Sequence, residues 1–176
     1  MSGQGRAPLC RIVPLFALVL LLALGTARAA TISDSERRTL VFDRPFTRIV
    51  SLYPAHTANL LRLGLDGEIV ACSPGDHQLT DRPRVQFQDD PDRILALKPD
   101  LVLIRPMISR GYPNLVRILE QHRVRVVSLQ PTRADELFAY WQALGTLTGR
   151  EREAQAMIAD FTRGLARITA ELRPIP

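Results

Sequence analysis

The residues of this chain that could do chemistry are three histidines, an aspartate beside one of them, two serines near strand ends and one cysteine outside the leader. His56 follows the β-rich run Arg48 to Leu52, and His77 follows Asp76 in the loop after the run Glu68 to Cys72. Imidazole nitrogens and carboxylate oxygens are zinc ligands, so His56, Asp76 and His77 could share a metal if both loops met at one rim. Otherwise the two histidines are loop residues bonded to backbone. His122 ends a helical run, where an imidazole suits the negative helix terminus. Covalent catalysis lacks a nucleophile: Ser51 lies inside a strand and Ser73 is followed by Pro74 rather than by a helix. No Gly-x-Ser-x-Gly elbow, phosphate loop or dinucleotide fingerprint occurs. Cys72 reads as a small buried apolar residue at a strand end.

A binding site asks for less. Tyr53, His56, Asp76, His77, Arg105, Met107 and Phe87 all fall in segments that follow strand-like runs, and so gather at one rim of the fold. Aromatic, cationic and soft apolar groups together suit a large ligand that is partly apolar and partly anionic. Arg105, directly after the apolar run Leu101 to Ile104, is the candidate partner for an anionic group. Its alternative is an ion pair with Asp76 or Asp89. The chain is therefore read as a binding protein rather than an enzyme, with no resident cofactor or metal.

The elements that must position these residues alternate. Strand-like runs are expected at Thr39 to Phe42, Arg48 to Leu52, Glu68 to Cys72, Leu101 to Ile104 and Val124 to Leu129. Between them, helical spacing covers Thr57 to Leu63, capped by Gly64, and a short helix begins at the Asp90-Pro91 pair. A further helix covers Pro113 to His122. This order predicts an α/β fold: a parallel sheet covered by helices, its central strands apolar on both faces. Beyond Pro131, Thr132 with Asp135 resembles a capping box, and Leu137, Tyr140, Trp141, Leu144 and Leu147 share one helical face up to Gly149. A last helix is expected over Glu151 to Leu172, a rod of roughly 33 Å at ~1.5 Å per residue.

The first 29 residues read as a signal peptide. Arg6 and Arg11 precede the apolar run Ile12 to Leu24, and Ala27-Arg28-Ala29 supplies a small-x-small cleavage site. That apolar run is shorter than the ~20 residues needed to span a bilayer, and Cys10 lies before it rather than after it, unlike a lipoprotein cysteine. Residues 30–38 are expected to be a flexible lead-in, 39–148 a lobe, and 149–176 a long connecting helix. The formal charge of +5 includes Arg6, Arg11 and Arg28, so export leaves +2. Basic and acidic residues are interspersed, which leaves no footprint for nucleic acid. With Cys72 the one cysteine beyond the leader, no internal disulfide forms in the exported chain.

Two motifs carry a family resemblance. Arg48-Ile-Val-Ser-Leu-Tyr-Pro-Ala-His-Thr57 resembles the opening strand and turn of the periplasmic substrate-binding proteins that serve ABC importers of iron-siderophores, haem and vitamin B12. Asp92-Arg-Ile-Leu-Ala-Leu-Lys-Pro-Asp-Leu-Val102 resembles their helix-to-strand signature. The resemblance extends from about Thr39 to Leu172. It implies one of two lobes, joined in that family by a rigid helix that the segment from Glu151 resembles. It further implies a periplasmic protein whose ligand, a ferric siderophore, haem or corrinoid, lies between the lobes. A membrane permease is the implied partner. Ala58 departs from the glutamate usual after the threonine of the first motif. Asp92 matches an acid that, in the vitamin B12 binder, pairs with permease arginines; its alternative role is a favourable charge in a first helical turn. Two other readings stay open: a one-lobe exported interaction module, and a small exported metal-dependent enzyme built on His56, Asp76 and His77.

Overall fold

The computed structural model describes residues 29–172; the signal-peptide expectation falls, apart from Ala29, outside them. Strands β1 (Ala30–Ser33) and β2 (Thr39–Phe42) form an antiparallel hairpin. Then follow β3 (Ile49–Ser51), α1 (Pro54–Arg62), β4 (Ile69–Cys72), α2 (Pro91–Leu95), β5 (Leu101–Ile104), α3 (Pro106–Gly111), α4 (Pro113–Gln121) and β6 (Arg125–Ser128). Two helices close the described chain, α5 (Glu136–Thr148) and α6 (Glu151–Leu172).

The four strands β3 to β6 make one parallel sheet in the order β4-β3-β5-β6. Alternate side chains feed two cores. Ile49, Leu101, Leu103 and Val127 face α1, α5, α6 and the hairpin, whereas Val50, Val102, Ile104 and Val126 face α2, α3 and α4. All four residues of β5 are wholly buried, which is why this central strand reads as an unbroken apolar run. The expected α/β architecture, with helices on both faces and a long terminal helix, is the one observed.

Three local expectations need correction. The lead-in at 30–38 is structured: Ile32 and Phe42 enter the core, and the Asp34 carboxylate accepts from the Glu36 and Arg38 amides, each at 2.9 Å, to close the turn. Helix α1 begins at Pro54, three residues before Thr57, because proline at the first helical position needs no amide partner. The cap before α5 uses Glu136 rather than Asp135; the Thr132 amide and hydroxyl donate to its carboxylate at 2.7 and 2.9 Å. These bonds to the charged form hold the Glu136 carboxyl below its ordinary pKa. Helix α3 had no counterpart in the sequence reading, its six residues being too few to establish a period.

Helices α5 and α6 cross closely at their shared turn, where a Cβ on Gly145 would stand 2.8 Å from the Ala154 Cβ. Gly149 ends α5 at φ +66°, and a Cβ there would meet the Pro45 ring at 2.8 Å. Gly149→Ala is therefore expected to destabilise the fold by about 1–2 kcal/mol through left-handed backbone strain alone, read as a lowered urea midpoint. An unchanged midpoint would show that Pro45 and the turn yield without cost. Along α6, Ala154, Met157 and Ile158 are buried, but Leu165, Ile168 and Leu172 are 50, 50 and 60% exposed.

Candidate functional site

In the sheet order β4-β3-β5-β6, the chain leaves β3 toward β4 on one side and leaves β5 toward β6 on the other. The carboxyl ends of β3 and β5 thus flank the topological switch point, the place where open α/β sheets bind ligands. Tyr53 lies two residues beyond β3, and Arg105 follows β5 directly. Their side chains meet. The Arg105 guanidinium carbon stands 4.7 Å from the Tyr53 ring centroid, a cation–π contact, and both residues are half-buried. No carboxylate comes within ion-pair distance of Arg105 among the described residues. Asp89, one of its two expected partners, binds Arg93 at 3.0 Å instead. Tyr53 is therefore the aromatic partner of the Arg105 charge at these strand ends, and no ion pair neutralises that charge among the described residues.

His56 supports this pair from below and is not at the rim. It is the third residue of α1 and only 1% exposed, because the early helix start turns it inward beside Thr57 and Leu60. Its Nε2–H donates to the Ile104 carbonyl at 3.0 Å, so Nδ1 must accept, and the Tyr140 hydroxyl donates to it at 2.9 Å. The Asn59 amide reaches the same hydroxyl at 3.5 Å, and the Trp141 indole N–H donates to Asn59 Oδ1 at 2.7 Å. One directed chain of hydrogen bonds thus ties α5 to α1 and to the last residue of β5, immediately before Arg105. Burial lowers the His56 pKa to about 4, with Arg105 adding to the fall, so the imidazole is neutral near pH 7. Burial likewise raises the Tyr140 hydroxyl far above its ordinary value.

The other expected residues are dispersed. Met107, the second residue of α3, is 43% exposed beside Arg105. His77 is exposed in the loop after β4, but Asp76 is buried there: Oδ1 accepts from the Gln78 amide at 3.1 Å, and Oδ2 has no partner among the described residues. The three-residue metal site sketched from His56, Asp76 and His77 is not assembled, since His56 spends both nitrogens inside the core. Among the described residues no cluster of three histidine, cysteine or acidic side chains could hold a metal ion. Phe87 is half-buried edge-on against Tyr112, with ring centroids 4.8 Å apart. Cys72 is buried as expected, which raises its thiol pKa. Asp92 is exposed in the first turn of α2, where its amide donates to the Asp90 carboxylate.

The sequence reading missed a cavity of about 580 Å³ at the carboxyl ends of β5 and β6. Arg110, Gln130, Glu136 and Tyr140 line it, together with the hairpin turn at Asp34 to Glu36. Its walls come from four separate elements, so no local spacing announces it. No helix among the described residues is long and apolar enough to cross a membrane.

Comparison with known proteins agrees with this arrangement. No curated protein matches the sequence. Similar solved structures include a possible iron-binding (periplasmic solute-binding) protein from Staphylococcus epidermidis ATCC 12228, with 24% identity and a TM-score of 0.68 over 76% of this chain and 54% of that one. A periplasmic haem-binding protein from Pseudomonas aeruginosa gives 25% identity and a TM-score of 0.64 over 69% of this chain and 45% of that one. The periplasmic haem-binding protein HutB of Vibrio cholerae gives 19% and 0.66 over 74% and 52%. This chain thus spans about half the length of the structures it resembles. A family model described as periplasmic binding protein matches residues 49–175, from the first strand of the parallel sheet through the long last helix, and the chain accordingly belongs to the periplasmic binding protein family.

Proposed function

We propose that this chain forms the first lobe and connecting helix of the extracytoplasmic solute-binding component of an ABC importer, capturing an iron- or cobalt-carrying macrocycle or chelate for delivery to a membrane permease. The observation that carries this reading is the Arg105 guanidinium stacked on Tyr53 at the switch point, with no carboxylate partner among the described residues. A cation on an aromatic face offers an anionic group a charge-assisted hydrogen bond and a flat ligand an apolar wall. Ferric siderophores, haem and corrinoids all combine such surfaces. The similar proteins of Pseudomonas aeruginosa and Vibrio cholerae are haem-binding, which favours an iron-bearing ligand.

In this reading Tyr53, Arg105, Met107 and His77 touch ligand, while His56 holds the end of β5 in register and Asp76 shapes the loop after β4. Phe87 stands at the margin of the site. The exposed stripe Leu165, Ile168 and Leu172 on α6 is the seat of a second lobe, as the twofold greater length of the relatives suggests. Asp92 serves docking to the permease, being exposed in the first turn of α2.

Titration of haemin, a ferric hydroxamate and cobalamin onto the protein, followed by absorbance, tests the assignment. One of the three should bind, and Arg105→Ala should weaken it at least tenfold, a loss of ~1.4 kcal/mol. Asp92→Arg should leave that affinity unchanged while impairing uptake in cells that carry the importer. Binding of none of the three, or an Arg105→Ala variant as tight as the parent, would sink this reading.

A further inference from the structure

The amino ends of the sheet strands, opposite the Tyr53–Arg105 rim, carry a second concentration of charge. Arg44 precedes β3, Arg123 precedes β6 and Arg125 opens it; with Asp43 and Asp100 these three arginines line a surface hollow of about 410 Å³. None of the three guanidiniums forms an ion pair among the described residues. Asp100 is turned toward backbone, accepting from the Thr47 and Arg48 amides at 3.0 and 2.9 Å. Arg48 and Lys98, both exposed, extend the same edge, and the Arg48 guanidinium donates to the Lys98 and Leu97 carbonyls. The hollow is also apolar in part. Phe42 and Phe46 are buried in its floor, and Val41 on its wall is 53% exposed.

We propose that this face docks on the surface of an anionic phospholipid bilayer. Guanidiniums pair with phosphate oxygens in fork geometry, and juxtamembrane basic residues are drawn to anionic headgroups. An exposed apolar side chain inside a basic ring inserts at the headgroup boundary, a use for Val41 that a free phosphate or a nucleic acid does not offer. In this posture the Tyr53–Arg105 rim points away from the membrane, open to incoming ligand. Delivery through Asp92 then requires release from the lipid surface, which makes the contact a reversible waiting position.

Flotation of the full chain with vesicles tests this. Vesicles of phosphatidylcholine with phosphatidylglycerol should bind it more tightly than phosphatidylcholine alone, and the increment should shrink as salt rises. The triple variant Arg44→Gln, Arg123→Gln and Arg125→Gln should lose the increment by a factor on the order of a hundred. A control triple of equal charge change, Arg62→Gln, Arg117→Gln and Arg152→Gln, should retain it. Val41→Asp, at an exposed position, provides a second reading should the arginine triple fail to fold; it too should weaken binding to anionic vesicles. Equal loss in both triples would assign the effect to net charge and overturn the proposal. So would an increment unchanged by the arginine triple and by Val41→Asp, or inorganic phosphate that binds the hollow and displaces the protein from vesicles at millimolar concentration.

Discussion

Lowering the pH from 7 to 4 is expected to remove about 3 kcal/mol of folding stability through His56 alone. The imidazole has a pKa of about 4 in the fold against 6.5 as its ordinary value, and burial is the largest cause. Between these two values the unfolded chain binds a proton that the folded chain does not. Acid therefore favours unfolding in that window, and the contribution is complete above pH 6.5 and gone near pH 4. At ~1.4 kcal/mol per pKa unit the whole shift is worth about 3.5 kcal/mol, of which about 3 is lost by pH 4, where the folded imidazole is half protonated. The groups around His56 offset this only in part: the Ile104 carbonyl, which accepts from Nε2, raises the pKa, whereas Arg105 repels a second positive charge. Urea denaturation at pH 7 and pH 4.5 should show the loss in the parent chain. His56→Gln, which keeps a donor and an acceptor but cannot titrate, should be less stable at pH 7 and should lack most of the pH dependence. An equal slope in parent and variant would move the acid sensitivity elsewhere.

Trp141→Ala is expected to cost about 3–5 kcal/mol, the range for truncating a large buried aromatic. Trp141 is 5% exposed, stacks on Phe138 at 6.1 Å between centroids, and meets Phe161 edge-on at 5.5 Å. It thereby joins α5 to α6. Its indole N–H also orients Asn59, whose amide points back to the Tyr140 hydroxyl. Removal opens a cavity and loosens the hydrogen-bond chain that ends at Ile104. Because the residues share one network, Trp141→Ala and His56→Gln should be non-additive by 0.5 kcal/mol or more in a double-mutant cycle, on the order seen for coupled sites. Phe161→Ala, at a position 37% exposed, should cost much less. Similar losses at Trp141 and Phe161 would mean that the α5–α6 seam, and not the network, holds the aromatic group in place.

The periodicity of the chain was enough to determine its architecture. Runs such as Leu101 to Ile104 are apolar throughout because a central parallel strand is covered on both faces, and this pattern is local. The helices over Pro113 and Glu151 announced themselves in the same way, by apolar spacing and by proline or glycine at their ends. The rim after β3 and β5 was legible too, since a residue that directly follows a buried strand must emerge at the carboxyl edge; Tyr53 and Arg105 do so.

Tertiary structure decided which of those residues face outward and which face each other. His56 and Asp76 follow strands as surely as Arg105 does, yet both are buried, because a helix start shifted by three residues and a tight Asx turn rotate them inward. The ion pair of Asp89 with Arg93, which leaves Arg105 free, is four residues long in sequence but competes with partners more than ten residues away. The same holds for the hairpin at Ala30, whose polar strand residues gain order from Ile32 and Phe42 reaching a core built by later segments. It holds as well for the cavity beneath Tyr140 and the arginine-lined hollow beside Ala29, whose walls come from elements far apart along the chain. Local spacing fixes which face of an element is apolar; only packing decides what that face meets, because burial and pairing energies depend on neighbours that spacing does not encode.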